Sequence, residues 1–357
     1  MSWKNNRLCE LLGTKHPIIQ APMAGATSPQ MVVAACNAGA LGSLGSAEYT
    51  SDKLIAEFDY IRAHTKAPFN ANFFTHAEPK DEAQKSAKAR ERLKPWYDEY
   101  NLGRVPDAKP ISRSFHKEIC DTICDLKPDI VSFHFGLPDA KLVDQIKSCG
   151  IKILCSATSV KEAIWLEQNG VDAIIAQGFE AGGHSGWFMD RRGADLTGVM
   201  ALVPRIVDAV SVPVIAAGGI MDGRGVVAAL VLGASGVQMG TAFISSPESL
   251  LSDVHKKAAS QASGDDTVHS TAFSGRKARS IVNKYAAEFA DITDWPDFPI
   301  GNTLSKPLRK ASSDRGLPDA MSLWAGQAVG LNQSKSTAEI IEDVVRETNA
   351  ILSDFGS

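Results

Sequence analysis

One histidine stands in a glycine-dense segment that has the composition of an active-site loop. The stretch QGFEAGGHSG, from Gln177 to Gly186, places His184 directly after Gly182 and Gly183. Imidazole titrates near neutrality, so it can donate or remove a proton at working pH. The segment has no apolar periodicity that a packed histidine would satisfy. We therefore predict that His184 is catalytic or contacts substrate, and the alternative is a structural role.

Two further segments end an apolar run in small residues. VPVIAAGGI ends with Gly218 and Gly219 before its final Ile, and GVQMGTAF has Gly240 and Thr241 after Met239. Glycine lets the backbone turn with positive φ and approach a ligand closely, and bared N–H groups can hold a phosphate without Lys or Arg. The alternative is that these glycines only form tight turns. Two such turns at neighbouring strands favour a phosphate-binding site over glycines that only form tight turns.

Other polar groups at predicted strand ends are weaker candidates. His134, in VSFHFG, is predicted to contact substrate or to pack structurally, and His16 is expected on the opposite face of the fold. Amide and hydroxyl side chains at strand ends need partners in an apolar interior; they are Gln20, Asn70, Asn72, Ser156, Gln177 and Gln238.

The remaining histidines are expected in helices or polar loops and exposed to solvent: His64, His76, His116, His255 and His269. No pair has the spacing of metal ligands, so no metal is predicted. The chain has no GxSxG segment, which disfavours nucleophilic hydrolysis.

Composition narrows the class of protein. With 357 residues, 44% of them hydrophobic, the chain can bury a core without disulfides or metals. A net charge of −4 provides no basic surface for nucleic acid or an anionic membrane. The six cysteines lack CxxC spacing, and MSWKNNRLCELLG has no apolar leader core. A reduced, cytoplasmic enzyme is expected.

Eight apolar runs read as buried parallel strands, and helix-like stretches separate most of them. The runs are HPIIQAPMAG, AGALGSLGS, APFNANFF, PDIVSFHFG, IKILCSATS, VDAIIAQGFE, VPVIAAGGI and ASGVQMGTAF. The intervening helices include PQMVVAACNAG, DAKLVDQIKSCG, GRGVVAALVLGA and SVKEAIWLEQNG. The last has Ser159 as its predicted cap, with Glu162 three residues on to complete a capping box. This alternation predicts an α/β fold, a (β/α)8 TIM barrel, over a doubly wound sheet, because the glycine turns come at the last two strands.

Two regions fall outside the alternation. Residues 77–115 form a charged insertion, predicted to be a helix and loop that serve as a solvated decoration or as a lid. We assign residues 1–245 to the barrel and 246–357 to a smaller, mostly helical substrate domain. The C-terminal helix of that segment is expected to pack on the barrel.

Taken in order, these segments resemble the nitronate monooxygenases, formerly called 2-nitropropane dioxygenases. HPIIQAPMAG, HFGLP, GFEAGGHSG, VPVIAAGGI, GVQMGTAF, AFSGRKAR and LWAGQAVGL carry the resemblance over nearly the whole chain and point to the class I branch. The resemblance implies one non-covalent FMN and no metal. It also implies oxidation of alkyl nitronates, notably propionate 3-nitronate, by O2. As a mechanistic hypothesis, the reaction passes through a flavin semiquinone and gives aldehyde and nitrite. We expect a monomer or homodimer.

The resemblance also assigns residues. His184 takes the place of the family's conserved histidine, and His134, Tyr285 and Lys306 are candidates for substrate binding. The FMN contacts are expected at Ala21, Pro22, Met23, Asn72, Ser156, Gln177, Gly182, Gly183, Gly218, Gly219, Gln238, Met239, Gly240 and Thr241.

Three alternatives remain open. The same scaffold resembles FMN-dependent NADH:quinone reductases and flavin enoyl-thioester reductases. A phosphate-binding isomerase or aldolase barrel without flavin is a second class, although no Lys stands at a strand end for a Schiff base. A binding barrel without catalytic activity is the third.

Overall fold

A parallel sheet closed into a ring forms the centre of the molecule, for which the computed structural model describes residues 3, 6–77, 82–107, 114–190 and 196–355. Within that part of the chain, eight strands pair in the order β1-β9-β8-β6-β5-β4-β3-β2. Their bounds are β1 Ile18–Gln20, β2 Gly42–Gly45, β3 Phe69–Phe74, β4 Ile130–His134, β5 Lys152–Ala157, β6 Ala173–Gln177, β8 Val214–Ala217 and β9 Gly236–Met239, with β7 being the short strand Gly183–His184.

The two ends of this sheet meet ahead of β2. Ile19 forms a parallel bridge with Leu41. The Leu41 N–H donates to the Ile18 carbonyl, and the Gln20 N–H donates to the Leu41 carbonyl, each at 2.9 Å. Each strand lies inside the segment predicted for it, so the barrel prediction is confirmed.

Alternation along the strands separates two hydrophobic clusters. Ile175 of β6 belongs to the cluster inside the barrel, whereas its neighbour Ile174 packs under the surrounding helices. Leu8 and Leu12 of the first helix also belong to the interior cluster. This helix therefore plugs the amino-terminal end of the barrel and leaves the carboxyl ends of the strands to form a site.

The predicted helical stretches PQMVVAACNAG, DAKLVDQIKSCG, SVKEAIWLEQNG and GRGVVAALVLGA are all helices, and some further helices were not predicted. The helices are α1 Arg7–Leu12, α2 Pro29–Asn37, α3 Ser51–His64, α4 Ala83–Glu99, α5 Lys117–Leu126, α6 Ala140–Ser148, α7 Val160–Gln168, α8 Val199–Val207, α9 Gly223–Val231, α10 Asp253–Gln261, α11 Lys284–Glu288, α12 Ile300–Asp314 and α13 Thr337–Phe355, with 3-10 turns at Thr241–Phe243, Gly264–Asp266 and Val329–Leu331. None of the described helices has both the length and the apolar composition that a membrane span needs.

The predicted cap of α7 is present, with one difference. The Ser159 hydroxyl accepts the Glu162 N–H at 3.3 Å, as a capping serine does. The Glu162 carboxylate does not return to the cap residue. It accepts from the Thr158 N–H and hydroxyl, and its other oxygen accepts from the N–H groups of Phe188 and Met189. This buried carboxylate therefore holds the loop that follows His184.

The region after the barrel contains strands that were not predicted. β10 Thr267–Ser270 pairs antiparallel with β11 Ala278–Ile281, and β11 pairs with β7. The predicted helices SDVHKKAASQA and STAEIIEDVVRETNAILSDF are present as α10 and α13. The Gly223 N–H of α9 donates to Glu347 of α13 at 3.0 Å, so the last helix packs on the barrel's outer surface.

The predicted insertion contains the helix α4, while its residues 78–81 and 108–113 lie outside the described residues. α4 packs against the C-terminal region and not across the barrel: Trp96 and Tyr97 share a hydrophobic cluster with Tyr285 and Leu304. The Tyr97 hydroxyl donates to the Leu304 carbonyl at 2.7 Å. The insertion and the tail therefore have a common core.

Candidate active site

A cavity of about 290 Å³ lies at the carboxyl ends of the barrel strands. Its floor comes from the turns that follow β1, β6, β8 and β9. Its other walls come from the C-terminal region, through Phe298, Asn302, Arg309 and Trp324. This is the face on which barrel enzymes place their active sites.

The structure brings most of the predicted site residues together. His134 and His184 line the cavity, as do the predicted cofactor contacts Ala21, Pro22, Met23, Asn72, Ser156, Gln177, Gly182, Gly183, Gly218, Gly219, Gln238, Gly240 and Thr241.

Three predicted residues lie elsewhere. Met239 points into the core between sheet and helices. The Tyr285 ring is fully buried in the cluster around α4, where its hydroxyl donates to the Ala272 carbonyl at 3.0 Å. Lys306 lies on the outer surface of α12 with its ammonium 3.1 Å from Glu48. Packing partners distant in sequence decide these orientations, so Tyr285 and Lys306 do not line the cavity.

The two glycine turns form a cradle of free N–H groups. Gly218 and Gly219 have φ of 124° and 69°, the left-handed region that favours glycine. Within the described part of the chain, the N–H groups of Gly219, Gly240 and Thr241 donate to no acceptor. The Thr241 hydroxyl accepts the Gly326 N–H at 2.9 Å and so ties the cradle to the C-terminal region. Free N–H groups of this kind suit a phosphate.

Gln177 and Gln238 both line the cavity, but they differ in whether the amide oxygen is free to bind a ligand. The Gln238 Oε1 is buried without a partner in the described part of the chain, although the residue lines the cavity. Gln177 instead donates to the His184 carbonyl at 3.0 Å and accepts the Gly186 N–H at 2.7 Å. Gln238 therefore offers a free acceptor to a ligand, whereas Gln177 positions the histidine loop.

His184 is held from both sides of the cavity. Its backbone is in β7, paired with Ala278 of β11, and its Nε2 lies 2.8 Å from the Ser274 hydroxyl. The Trp324 and Phe298 rings lie 5.3 and 5.7 Å from the imidazole. Within the described residues Nδ1 makes no hydrogen bond, which leaves this nitrogen to a ligand.

His134 has both ring nitrogens occupied. Nε2 lies 3.1 Å from the His184 carbonyl and must donate to it, so Nδ1 accepts from the Ser156 hydroxyl at 2.7 Å. Burial, and then the positive charge of Arg276, lower the pKa of His134 to about 4. His134 is therefore neutral, and its contacts position the His184 loop.

The same surroundings keep His184 neutral. Burial is the main cause that lowers its pKa to about 3, and the nearby His134, Arg276 and Arg309 lower it further. Arg276 lies 3.9 Å above the Phe135 ring, and Arg309 lines the cavity. Two guanidinium groups thus lie near a neutral imidazole, and the Glu48 carboxylate, paired with the Lys306 ammonium, also lines the cavity.

Known proteins match this chain over nearly its whole length. The model of the family described as nitronate monooxygenase matches residues 5–347. The chain belongs to this family. A protein from Staphylococcus saprophyticus named "Probable nitronate monooxygenase" is 40% identical over 351 residues, which cover 98% of this chain and 99% of that protein. As a member of the family, the protein is an oxidoreductase.

Solved structures agree on the fold. The nitroalkane oxidase from Streptomyces ansochromogenes matches with a TM-score of 0.89 at 33% identity, covering 98% of this chain and 99% of that one. FabK from Thermotoga maritima matches with a TM-score of 0.75 at 29% identity, covering 98% of each chain.

Sequence reasoning missed several residues of this family member's site. Arg309, Ser274 and Arg276 were not predicted, since they belong to the tail, whose packing on the barrel carries no local periodic signal. His255 was expected to be exposed, but it is 2% exposed and lines the cavity, with Nε2 3.3 Å from the Trp324 carbonyl. His76 is also buried, against the Phe298 ring.

Proposed function

We propose that this protein binds FMN and oxidises alkyl nitronates with O2, with propionate 3-nitronate as a substrate. In atom balance, two nitronates and one O2 give two aldehydes and two nitrite ions, so each aldehyde receives one oxygen atom. Membership of the nitronate monooxygenase family and the likeness to a nitroalkane oxidase support nitronate oxidation in general. The cofactor and the particular substrate are our own assignment.

The residues present fit FMN. The free N–H groups of Gly219, Gly240 and Thr241 would hold its phosphate. The unpartnered Gln238 Oε1 would accept from a donor on the ring system. When bound, FMN supplies the one-electron redox chemistry that couples the nitronate to O2.

The observation that carries the substrate class is the neutral, buried His184 imidazole near the guanidinium groups of Arg276 and Arg309. The Ser274 hydroxyl lies 2.8 Å from the His184 Nε2 and 3.2 Å from the Arg276 carbonyl, and it accepts the Arg276 N–H at 3.3 Å. It has one proton to donate, and we assign that proton to the shorter contact, to the His184 Nε2. The imidazole proton then lies on Nδ1, which can donate to a nitronate oxygen and stabilise its negative charge.

A neutral nitroalkane, unlike a nitronate, would have to lose a proton to this histidine. His184 would have to accept a proton and become a buried imidazolium beside Arg276 and Arg309, which the burial and the like charges oppose. The site therefore favours the preformed anion, from which no proton need be removed.

Oxygen uptake by purified, FMN-loaded protein tests the proposal. Propionate 3-nitronate should be consumed with release of nitrite, and His184→Asn should lower kcat/KM about 100-fold or more while keeping its FMN. Unchanged turnover in His184→Asn would show that His184 does not stabilise the nitronate. If NADH reduced the flavin rapidly without oxygen and the nitronate did not, the reductase alternative would replace the proposal.

A further inference from the structure

The Arg276 guanidinium lies behind His184 and is held by aromatic rings. Its central carbon is 3.9 Å from the centre of the Phe135 ring and 4.6 Å from the centre of the Trp187 ring, three residues after His184. Burial lowers the pKa of the guanidinium to about 10, so the group is charged at neutral pH. A charged guanidinium over an aromatic face is attracted to it, and more strongly when water is excluded.

The other side-chain contacts of Arg276 also reach residues next to the cavity histidines. Its Nε donates at 3.4 Å to the carbonyl of Ser185, which directly follows His184. Phe135 directly follows His134, whose Nε2 donates to the His184 carbonyl at 3.1 Å. The Arg276 side chain therefore joins the carboxyl end of β4 to the loop that carries His184.

The backbone of Phe135 is strained in a way that depends on its surroundings. Its φ is 77°, in the left-handed region that residues with a side chain seldom adopt. The ring lies 6.0 Å from the His184 ring and nearly perpendicular to it. Such strain persists only where neighbouring groups hold the residue in place. We assign this role to the guanidinium, which contacts the same ring.

The main chain of Arg276 acts on the opposite side of the imidazole. Its N–H donates at 3.3 Å to the Ser274 hydroxyl, which lies 2.8 Å from the His184 Nε2. One residue thus restrains the backbone of His184 through Ser185 and the ring of His184 through Ser274. The arginine itself does not line the cavity.

We propose that Arg276 is a positioning residue for His184, and that its side chain keeps the imidazole oriented with Nδ1 toward the ligand. The inference rests on the proposed function for the identity of that ligand. Without the guanidinium, the His184 loop is released from β4 and the contact with Ser274 is no longer enforced. The second tautomer, with its proton on Nε2, then becomes accessible.

Nitrogen NMR of the imidazole groups in FMN-loaded protein tests this inference without any turnover, because protonated and unprotonated ring nitrogens have different shifts. The wild type should show His184 with its proton on Nδ1 alone. In Arg276→Met, the tautomer with its proton on Nε2 should be at least about 10-fold more populated than in the wild type. Comparison with His184→Asn identifies the signals of His184.

Oxygen uptake with propionate 3-nitronate provides a second measurement. In Arg276→Met and in Phe135→Leu, kcat/KM should each fall about 10-fold. Because the two side chains act through one contact, the double variant should also lose about 10-fold, whereas independent effects would multiply to about 100-fold.

Arg315→Met is the matched control for both measurements. The Arg315 guanidinium also lies over an aromatic ring, 4.8 Å from the centre of Tyr100, and donates to the Tyr100 carbonyl at 2.7 Å. These contacts lie away from the cavity, so this variant should alter neither the tautomer nor kcat/KM. If Arg276→Met does not fold, Arg276→Lys replaces it, because lysine keeps the charge and loses the planar guanidinium with its Nε donor.

Two results would overturn the inference. A His184 tautomer in Arg276→Met identical to that of the wild type would show that the side chain does not position the ring. Losses that multiply in the double variant would show that Arg276 and Phe135 act separately. Failure of the wild-type protein to oxidise the nitronate would instead refute the proposed function, and the NMR comparison would still decide the role of Arg276.

Discussion

The His184 Nε2 lies 2.8 Å from the Ser274 hydroxyl oxygen, and this contact joins the histidine loop of the barrel to the C-terminal region. Ser274 is buried, and its hydroxyl also accepts the Arg276 N–H at 3.3 Å. The serine is therefore fixed, and the imidazole inherits its orientation from a segment about 90 residues further along the chain.

Removing this hydroxyl should weaken catalysis without abolishing it. In Ser274→Ala the imidazole loses the partner that selects its tautomer, and kcat/KM for propionate 3-nitronate should fall about 10-fold, less than in His184→Asn. Steady-state oxygen uptake measures the change. Ser270→Ala, a buried serine of β10 away from the cavity, is the control and should retain full activity.

The proposed phosphate-binding role of the glycine turns predicts an effect on cofactor retention. Gly219→Ala places a Cβ at positive φ and 3.3 Å from the Glu180 Cβ, so the turn must shift and FMN should be lost or bound at least about 10-fold more weakly. Fluorescence of FMN released on ultrafiltration measures this. Gly150→Ala has a similar φ of 77° in open space. It should cost about 1 kcal/mol of stability and leave FMN content unchanged; equal FMN loss in both variants would count against the cradle.

Acid should destabilise the protein through His255. Burial lowers the pKa of this histidine to about 4, so between about pH 6.5 and pH 4 the unfolded chain binds a proton that the folded protein does not. The free energy of unfolding should therefore fall as pH falls through this window, by up to about 3 kcal/mol from this group. His255→Gln should make the decline shallower in urea unfolding measured across this range.

The pH range above this window supplies the control for that experiment. Between about pH 7.5 and pH 8.5 the His255 imidazole is neutral in both the folded and the unfolded chain, so His255→Gln and the wild type should have the same slope there. Within the acid window, an identical slope in His255→Gln and the wild type would show that His255 is not the source of the decline.

The buried Glu162 predicts a link between stability and the histidine loop. Glu162→Gln replaces one carboxylate oxygen with a donor that faces either backbone N–H groups or the Thr158 pair, and the unfolding free energy should fall by about 2 kcal/mol. Limited proteolysis near Phe188 should quicken. Glu118→Gln, at an exposed position, should do neither; cleavage at the wild-type rate in Glu162→Gln would contradict the anchoring role.

Much of the barrel and of its floor was predictable from sequence, because both depend on neighbours in the chain. Apolar runs with covered faces become parallel strands, and α7 begins at Ser159 because a hydroxyl there caps the first turn. Gly218 and Gly219 mark their turn because only glycine adopts that backbone at little cost. His184 could also be singled out from its neighbours in the chain, because it follows Gly182 and Gly183 in a glycine-dense segment.

The roof of the cavity was decided by tertiary structure alone. Tyr285 turns away because Trp96 and Tyr97 of a distant helix cover it, and of the charged residues on α12 it is Arg309, not Lys306, that reaches the cavity. Periodicity identifies the faces of a helix but not the partner that each face meets. The glycine turns and His184, which we propose to be catalytic, could therefore be found in the sequence, whereas the position of the buried Arg309 depends on the packing of segments far apart in the chain.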